Sequence, residues 1–239
     1  MTSRSAQVID PAADGGLPRD GVRRRTGARR WARVGMAAQI AFVASMLIAA
    51  SWQGPRYSVL SDAVSDMTAV TAPRGMFLVV VFTLCGAATI VFVLRSVWPT
   101  LRPGGWRAAL GSVLLALSVP GLGDLLSAKE RLACRMADPG CTAAQQISNA
   151  GGRLDGNVTT VGVFLLVIAG FFLAAAMRRT PGWQAWAWPS RWTALLILAF
   201  SVALVLFQHA GFGGLFERLV AITGAAGLAS LACGVLRRG

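Results

Sequence analysis

Long apolar stretches separated by short polar segments dominate the sequence. Six of them are about 20 residues long, the length that an α-helix needs to cross the roughly 30 Å hydrocarbon core of a bilayer. They cover residues 31–51, 75–94, 108–126, 158–177, 192–210 and 216–235. The pattern predicts an all-α fold, a polytopic membrane bundle of six transmembrane helices over residues 31–239. Residues 1–30 are polar and rich in arginine, and we expect a disordered, basic cytoplasmic tail there.

The composition favours the same class of protein. Of the 239 residues, 55% are hydrophobic and 14% are charged, and the mean hydropathy is +0.59. These values lie outside the range of soluble globular domains. Once six spans are placed, no stretch remains that is long enough for a large soluble domain.

The charges are distributed unevenly around the predicted spans. Sixteen of the 23 basic residues fall on one side of the six-helix layout, and seven of the ten acids fall on the other. The positive-inside rule then predicts that both termini are cytoplasmic. It also explains the net charge of +13 without nucleic acid, so no nucleic-acid partner is expected. Membrane lipids are the expected partners, with anionic headgroups at the basic tail.

The high arginine content indicates in which kind of membrane the protein resides. The chain contains 22 Arg and a single Lys and is rich in Ala and Gly, which indicates a coding bias toward G and C. We therefore expect a bacterial plasma membrane, crossed several times. Seven of the eight Trp fall at predicted cytoplasmic boundaries, where indole rings prefer to lie.

Two acids lie four positions apart in the loop after the first span. Apolar residues recur at helical spacing over residues 57–70, which predicts a short interfacial helix with Asp62 and Asp66 on a shared face. Two interpretations remain open. In one, Asp62 is a helix cap and Asp66 is solvated. In the other, the pair faces a cation, an arginine or a polar headgroup.

The third span contains a helix-breaking segment near its outer end. Residues 120–123 read Pro-Gly-Leu-Gly, and Asp124 follows directly. A broken helix at membrane depth is tolerated only where protein or water satisfies the freed backbone groups. We therefore expect a polar cavity near Asp124.

The second outer loop carries two cysteines, Cys134 and Cys141. On the predicted extracytoplasmic face a disulfide between them persists and stabilises the loop by about 2.5 kcal/mol. Two thiols without further Cys or His ligands nearby do not form a zinc site, so no metal site is predicted. No cofactor motif is present. Directly after the second cysteine, Thr142 and Gln145 have the spacing of a capping box, which predicts a short helix.

Two of these segments resemble a known family. Residues 61–67, Ser-Asp-Ala-Val-Ser-Asp-Met, are similar to the "ISDLG"-type segment after the first helix of DUF998, a family of bacterial six-helix membrane proteins. Asp124 after the Gly/Pro break is similar to that family's "G-x-F-P-x-D" at the end of the third helix. The resemblance spans nearly all of residues 31–239 and implies a six-helix membrane fold without an assigned function.

The chain departs from that family near the fourth helix. Family members carry a His there, whereas this chain has Asn149, Arg153 and Asp155. Metal or proton chemistry at that His is therefore not carried over to this chain.

Ionisable residues at membrane depth are functional candidates by default. The ligand-binding candidates are Asp62, Asp66, Asp124, Asp155, His209 and Arg218. Our first hypothesis is a non-catalytic protein that binds a lipid headgroup or a small molecule in an extracytoplasmic polar pocket. In that pocket Arg218 or Arg153 would hold a phosphate, and the carboxylates an amine or a cation.

Two alternatives stay open. One is an intramembrane, metal-assisted hydrolase with Asp66, Asp124 and His209 as metal ligands. The other is a small-molecule transporter whose two three-helix halves have opposite orientation. No motif in the sequence names a catalytic residue or an oligomeric state.

Overall fold

The computed structural model describes residues 19–238, with side chains from residue 26 onward. The first helix begins at Arg19 rather than near Trp31. Residues 19–30, which we expected in the disordered tail, are therefore the start of this helix. The rest of the expected tail, residues 1–18, lies outside the described residues.

Six long helices make up the fold. Their bounds are α1 Arg19–Ala50, α2 Gly75–Phe92, α3 Trp106–Leu117, α4 Ala150–Arg179, α5 Gln184–Phe207 and α6 Gly213–Arg238. Short helical segments join or extend them: 3-10 turns at Ser65–Thr68, Arg102–Gly104 and Gln208–Ala210, π turns at Val93–Val97 and Val119–Gly123, and α turns at Trp98–Leu101, Asp124–Leu126 and Ala143–Gln146. Residues 19–238 contain no strand, so the predicted all-α class is confirmed for this part of the chain.

By length and composition, five helical segments are suited to cross a membrane. They are Thr26–Ala50, Gly75–Gly104, Ala150–Arg179, Gln184–Ala210 and Gly213–Arg238. A sixth crossing results if α3 and the segment Val119–Leu126, bent by 43° relative to each other, count as one span. The architecture is therefore that of a multi-pass membrane protein.

Most helices extend beyond the apolar stretches that predict them. The clearest case is α4, which begins at Ala150 instead of near Val158. Asn149 caps it, because its side-chain oxygen accepts a hydrogen bond from the backbone N–H of Gly152 at 2.7 Å. A hydropathy window ends at the first polar residues, whereas a capped helix continues through them.

The helices form a closed ring in chain order. Consecutive long helices pack against each other, except that α2 contacts the third span mainly through Val119–Leu126, and α6 returns to pack against α1. The segment Val119–Leu126 fills the place between α2 and α4. A ring of this kind has an interior, which the broken third span enters from one side.

The two ends of the ring differ in chemistry. At one end, which we call the disulfide end, lie the loops 51–74, 127–149 and 208–212. At the other, the arginine-rich end, the Arg238 guanidinium lies over the rings of Trp183 and Trp186 at 5.1 Å and 5.9 Å. Such contacts are typical of the headgroup level of a bilayer. Which of the two ends is cytoplasmic remains the prediction made from the charge asymmetry.

Candidate functional site

The broken third span is held by two glycines on neighbouring helices. Ser118 has an extended backbone, with φ −78° and ψ 178°, and ends α3. A Cβ atom on Gly86 of α2 would lie 2.4 Å from the backbone nitrogen of Leu125. A Cβ atom on Gly162 of α4 would lie 2.8 Å from the Val119 side chain. The break is therefore wedged between two helix backbones, and this fixes the start of the segment that follows it.

That segment begins with Asp124, which is 8% exposed and lines a cavity. The cavity has a volume of about 490 Å³ and lies inside the helix ring toward the disulfide end. Its walls are mainly apolar and come from α1, α2, α4, α5, α6 and the broken span. The polar cavity that the sequence predicts near Asp124 is thus an apolar cavity with a few polar groups.

The cavity opens between α4 and α5. Four apolar residues line it and are also exposed on the outside of the bundle: Phe164 at 59%, Val202 at 51%, Val205 at 64% and Leu206 at 67%. On a membrane-spanning bundle, such surfaces face lipid. The opening is therefore bordered by exposed apolar side chains of two long apolar helices.

Four carboxyl groups line the cavity: Asp124, Glu130, Asp155 and Glu217. Of these, Glu217 is partly satisfied, because it accepts a hydrogen bond from the backbone N–H of Val64 at 2.9 Å. Among the residues that the structure describes, no lysine, arginine or histidine lines the cavity. The charged residues of the described lining are thus all acidic, and the remaining polar residues of the lining are neutral.

Glu130 is the least compensated of these groups. It is 8% exposed, and within the described chain its Oε1 atom has no hydrogen-bond partner. Burial raises the pKa of Glu130 to about 8, and the nearby Asp155 carboxylate adds to this rise. A buried, unpaired carboxylate is costly, since neither water nor a protein donor replaces its hydration.

Asp66 joins the two outer loops instead of lining the cavity. Its carboxylate accepts hydrogen bonds from the backbone N–H of Ala63 at 3.1 Å, the backbone N–H of Met136 at 3.2 Å and the side chain of Gln146 at 2.6 Å. It is 1% exposed, so the interpretation of Asp66 as a solvated residue is wrong. Burial raises the pKa of Asp66 to about 6, although the hydrogen bond from Met136 opposes this shift.

The interfacial helix predicted over residues 57–70 is wrong. Only Ser65–Thr68 is helical there, as a 3-10 turn. Asp62 instead accepts hydrogen bonds from the backbone N–H of Ser58 at 2.8 Å and from the hydroxyl of Ser61 at 3.1 Å. Such local bonds compete with helix formation. Asp62 therefore stabilises a turn, and the helix face that it was expected to share with Asp66 does not form.

Arg218 fixes the first outer loop to the start of α6. Its guanidinium is buried, and it donates to the Val59 carbonyl at 2.9 Å and to the carbonyls of Asp62 and Gly214 at 2.8 Å each. It also donates to the Tyr57 hydroxyl. These bonds engage both terminal nitrogens of the guanidinium, which were expected to hold a phosphate.

The other expected phosphate ligand, Arg153, is exposed and donates to the Ser148 carbonyl at 3.2 Å. It does not line the cavity. Neither arginine is therefore placed to bind a ligand inside the ring.

His209 lies apart from the acids. It is exposed in the turn Gln208–Ala210 and does not line the cavity. The ligand set of the hydrolase hypothesis therefore does not assemble, because Asp124 alone of that set faces the cavity. Within residues 19–238, no group of three or more His, Cys, Asp or Glu side chains is arranged to hold a metal ion.

The second outer loop is built largely as the sequence indicates. Cys134 and Cys141 lie at disulfide distance, with Cα atoms 6.1 Å apart. Thr142 and Gln145 form the predicted capping box at the start of Ala143–Gln146, which confirms that prediction. Between the cysteines, Arg135 forms an ion pair with Asp138 at 2.5 Å.

The cavity contains two acids that were not among the sequence candidates, Glu130 and Glu217. Glu130 stands four residues after the end of the third span, next to an exposed lysine, and resembles an ordinary loop residue. Its only sequence signal is that it lies within about a turn of a broken span. Asp62, Asp66, His209 and Arg218 do not line the cavity, whereas Asp124 and Asp155 do.

The ring of long apolar helices around a mainly apolar cavity defines a multi-pass helical membrane protein. The family model of DUF998, described as a protein of unknown function, matches residues 36–234. The chain belongs to this family, as its two short motifs suggested. No curated protein and no solved structure matches it.

Proposed function

We propose that this protein is non-catalytic and binds a lipid or a lipid-like small molecule in the cavity at its disulfide end. The observation that carries the proposal is the opening between α4 and α5, where exposed apolar side chains lead into an interior lined by carboxyl groups. An amphiphile fits this arrangement, since its hydrocarbon part contacts apolar walls and its polar part reaches the acids.

The size of the cavity supports this proposal. Small-molecule sites typically measure about 300–1,000 Å³ and are mostly apolar, with a few polar groups that orient the ligand. The cavity of about 490 Å³ falls inside this range. A single alkyl chain with a small headgroup fits such a volume, whereas a complete two-chain phospholipid would extend through the opening.

The location is part of the proposal. We place the protein in a bacterial plasma membrane with the disulfide end outside, on the charge asymmetry and the paired cysteines. The cavity then opens to the outer leaflet. Binding of anionic headgroups to the basic N-terminal segment stays a prediction, because residues 1–18 lie outside the described part of the chain.

Mass spectrometry of the lipids retained after purification tests the proposal. Gly224 lines the cavity, and a Cβ atom there meets only the Leu166 side chain, at an ordinary 3.6 Å. Gly224→Val therefore adds volume to the cavity wall at a position where a Cβ atom has room. Ala226 lies on the exposed side of the same helix, so Ala226→Val is the matched control.

We expect the wild type and Ala226→Val to retain the same lipid-like molecule at close to one per chain, and Gly224→Val to retain severalfold less. Equal retention by all three proteins contradicts the proposal, because retention is then independent of the cavity. Val202→Trp at the opening provides a second blocking variant. Its control is Leu195→Trp, two turns away on the same face of α5 and outside the cavity.

A transporter is the second candidate, and the broken third span favours it. Broken helices beside a ligand site recur in transporters, where they expose backbone groups to the substrate. Here the 43° bend places Asp124 at the cavity. Uptake of a labelled amphiphile into proteoliposomes distinguishes a binding protein from a transporter. A binding protein saturates near one ligand per chain, whereas a transporter continues to accumulate the amphiphile inside the vesicles.

A further inference from the structure

The cavity also indicates the charge of its ligand. Resting on the binding function proposed above, we propose that the cavity takes an amphiphile with a cationic, ammonium-type headgroup. The hydrocarbon chain lies at the opening between α4 and α5, and the cationic group contacts Glu130 and Asp124.

The first argument is the sign of the charges around the cavity. Four acids line it, and no basic residue does so in the described ranges. Arg218 follows Glu217 in the chain and partly balances that carboxylate, but its N–H groups point to carbonyl oxygens and to Tyr57. Within the described part of the chain, Asp124, Glu130 and Asp155 have no cationic side chain beside them in the cavity.

The second argument is independent of the count of acids. Glu130 is more than nine-tenths buried, lines the cavity, and has an Oε1 atom that no donor in residues 19–238 reaches. Buried polar atoms in native structures nearly always have a partner. An ammonium group in the cavity supplies one, and it also compensates the charge of the ionised carboxylate.

The same site disfavours an anionic headgroup. Phosphate and sulfate ligands are bound by arginine, lysine or clustered backbone N–H groups. Lys129 is exposed on the outside, and both terminal nitrogens of Arg218 are bound to protein acceptors. An anion in the cavity would face the carboxylates without compensation.

Three amphiphiles with the same tail test the inference: hexadecylammonium, whose primary ammonium group can donate hydrogen bonds, hexadecyl sulfate and hexadecanol. The full-length protein is purified in a neutral sugar detergent, and each amphiphile is titrated while bound ligand is counted by native mass spectrometry. We expect one saturable site that binds the ammonium compound at least about tenfold more tightly than the sulfate. Nonspecific binding to a chain of net charge +13 would favour the sulfate instead.

Substitutions of the cavity acids test which residues cause the preference for ammonium over sulfate. Glu130→Gln and Asp124→Asn should each reduce the ratio of ammonium to sulfate affinity severalfold. Asp62→Asn is the control, because it removes a carboxylate at the same end of the bundle but outside the cavity, and it should leave the ratio unchanged. If one cavity variant fails to fold, the other variant and the wild-type series still decide the question.

The outcomes separate the two proposals. Equal saturable binding of the three amphiphiles, or tighter binding of the sulfate, overturns the cationic headgroup while the binding function stands. Absence of saturable binding by any of them overturns both. A preference for ammonium that persists in Glu130→Gln and Asp124→Asn also overturns the inference, because another surface then creates it.

Discussion

The carboxylate of Asp66 accepts a hydrogen bond of 2.6 Å from the side chain of Gln146, which is 80 residues away in the sequence. Together with the bond from Met136, it links the first outer loop to the loop that carries the cysteine pair. The acid that appeared to be a ligand candidate in the sequence is thus a structural link between the two loops that close the disulfide end.

Asp66→Asn should destabilise the protein by about 1–3 kcal/mol at pH 7–8. The Asp66 carboxylate accepts three hydrogen bonds, whereas an amide presents an N–H₂ group to at least one of those donors. Thermal unfolding in detergent measures the change. Asp62→Asn should lower the melting temperature less, because its amide oxygen can still accept from the Ser58 N–H while its N–H₂ group donates to the Ser61 hydroxyl, which can also accept. Equal effects of the two substitutions would show that the link between the loops contributes little.

Arg218→Lys should also destabilise the fold, although it keeps the charge. A lysine ammonium has three donors on one atom and cannot reproduce the planar arrangement that bonds Val59, Asp62, Gly214 and Tyr57. We expect a larger drop in melting temperature than for Tyr57→Phe, which removes a single partner. Ligand retention per folded molecule should stay unchanged. A selective loss of ligand with normal stability would instead place Arg218 in the binding site.

Gly86→Ala should disturb the broken span. A Cβ atom there would lie 2.4 Å from the Leu125 nitrogen and 2.7 Å from the Gly121 carbonyl oxygen, both of which are backbone atoms. Overpacking of this kind costs about 1–3 kcal/mol, measurable as a lower melting temperature. Gly224→Ala is the matched control, since its Cβ atom has room. A neutral Gly86→Ala would mean that the break is not held between α2 and α4.

Affinity for hexadecylammonium should increase with pH between 6 and 8 and then level off. The pKa of Glu130 is raised to about 8, so the free protein keeps this group protonated at pH 7, and binding a cation requires loss of the proton. The affinity should increase by at most about tenfold per pH unit for one coupled proton. Asp124, Asp155 and Glu217 face the same cavity and remain present in Glu130→Gln, whose profile should nonetheless be flatter. An unchanged profile in this variant contradicts the assignment.

The predicted orientation has its own test. A reporter that is active only outside the cytoplasm should be active when fused after residue 137, between the cysteines, and silent after residue 104. In intact cells, a membrane-impermeant maleimide should label Cys134 and Cys141 only after reduction. The reverse reporter pattern would invert the topology and place the cavity toward the cytoplasmic leaflet.

Local and periodic features were predictable from the sequence. Apolar runs gave the helices, because burial in lipid requires about 20 consecutive apolar residues. The capping box at Thr142 and the cysteine pair depend on residues within one short segment, so their spacing carried the information. The broken span at residues 120–123 was predictable for the same reason.

Contacts between distant segments were not predictable in this way. The helix expected over residues 57–70 does not form, because Arg218 binds the Val59 and Asp62 carbonyls from the far end of the chain while Ser58 bonds to the Asp62 side chain. Glu130 was missed because its burial depends on how the ring closes around it. Only the packed structure shows which acids line the cavity and which stabilise loops.

The gap between α4 and α5 determines the route by which a ligand would reach the cavity. A molecule that enters through this gap arrives by diffusing within one leaflet, without passing through water. Occupancy then follows the mole fraction of the ligand among the surrounding lipids, so a compound that is scarce in the aqueous phase can still fill the site once it has partitioned into the membrane.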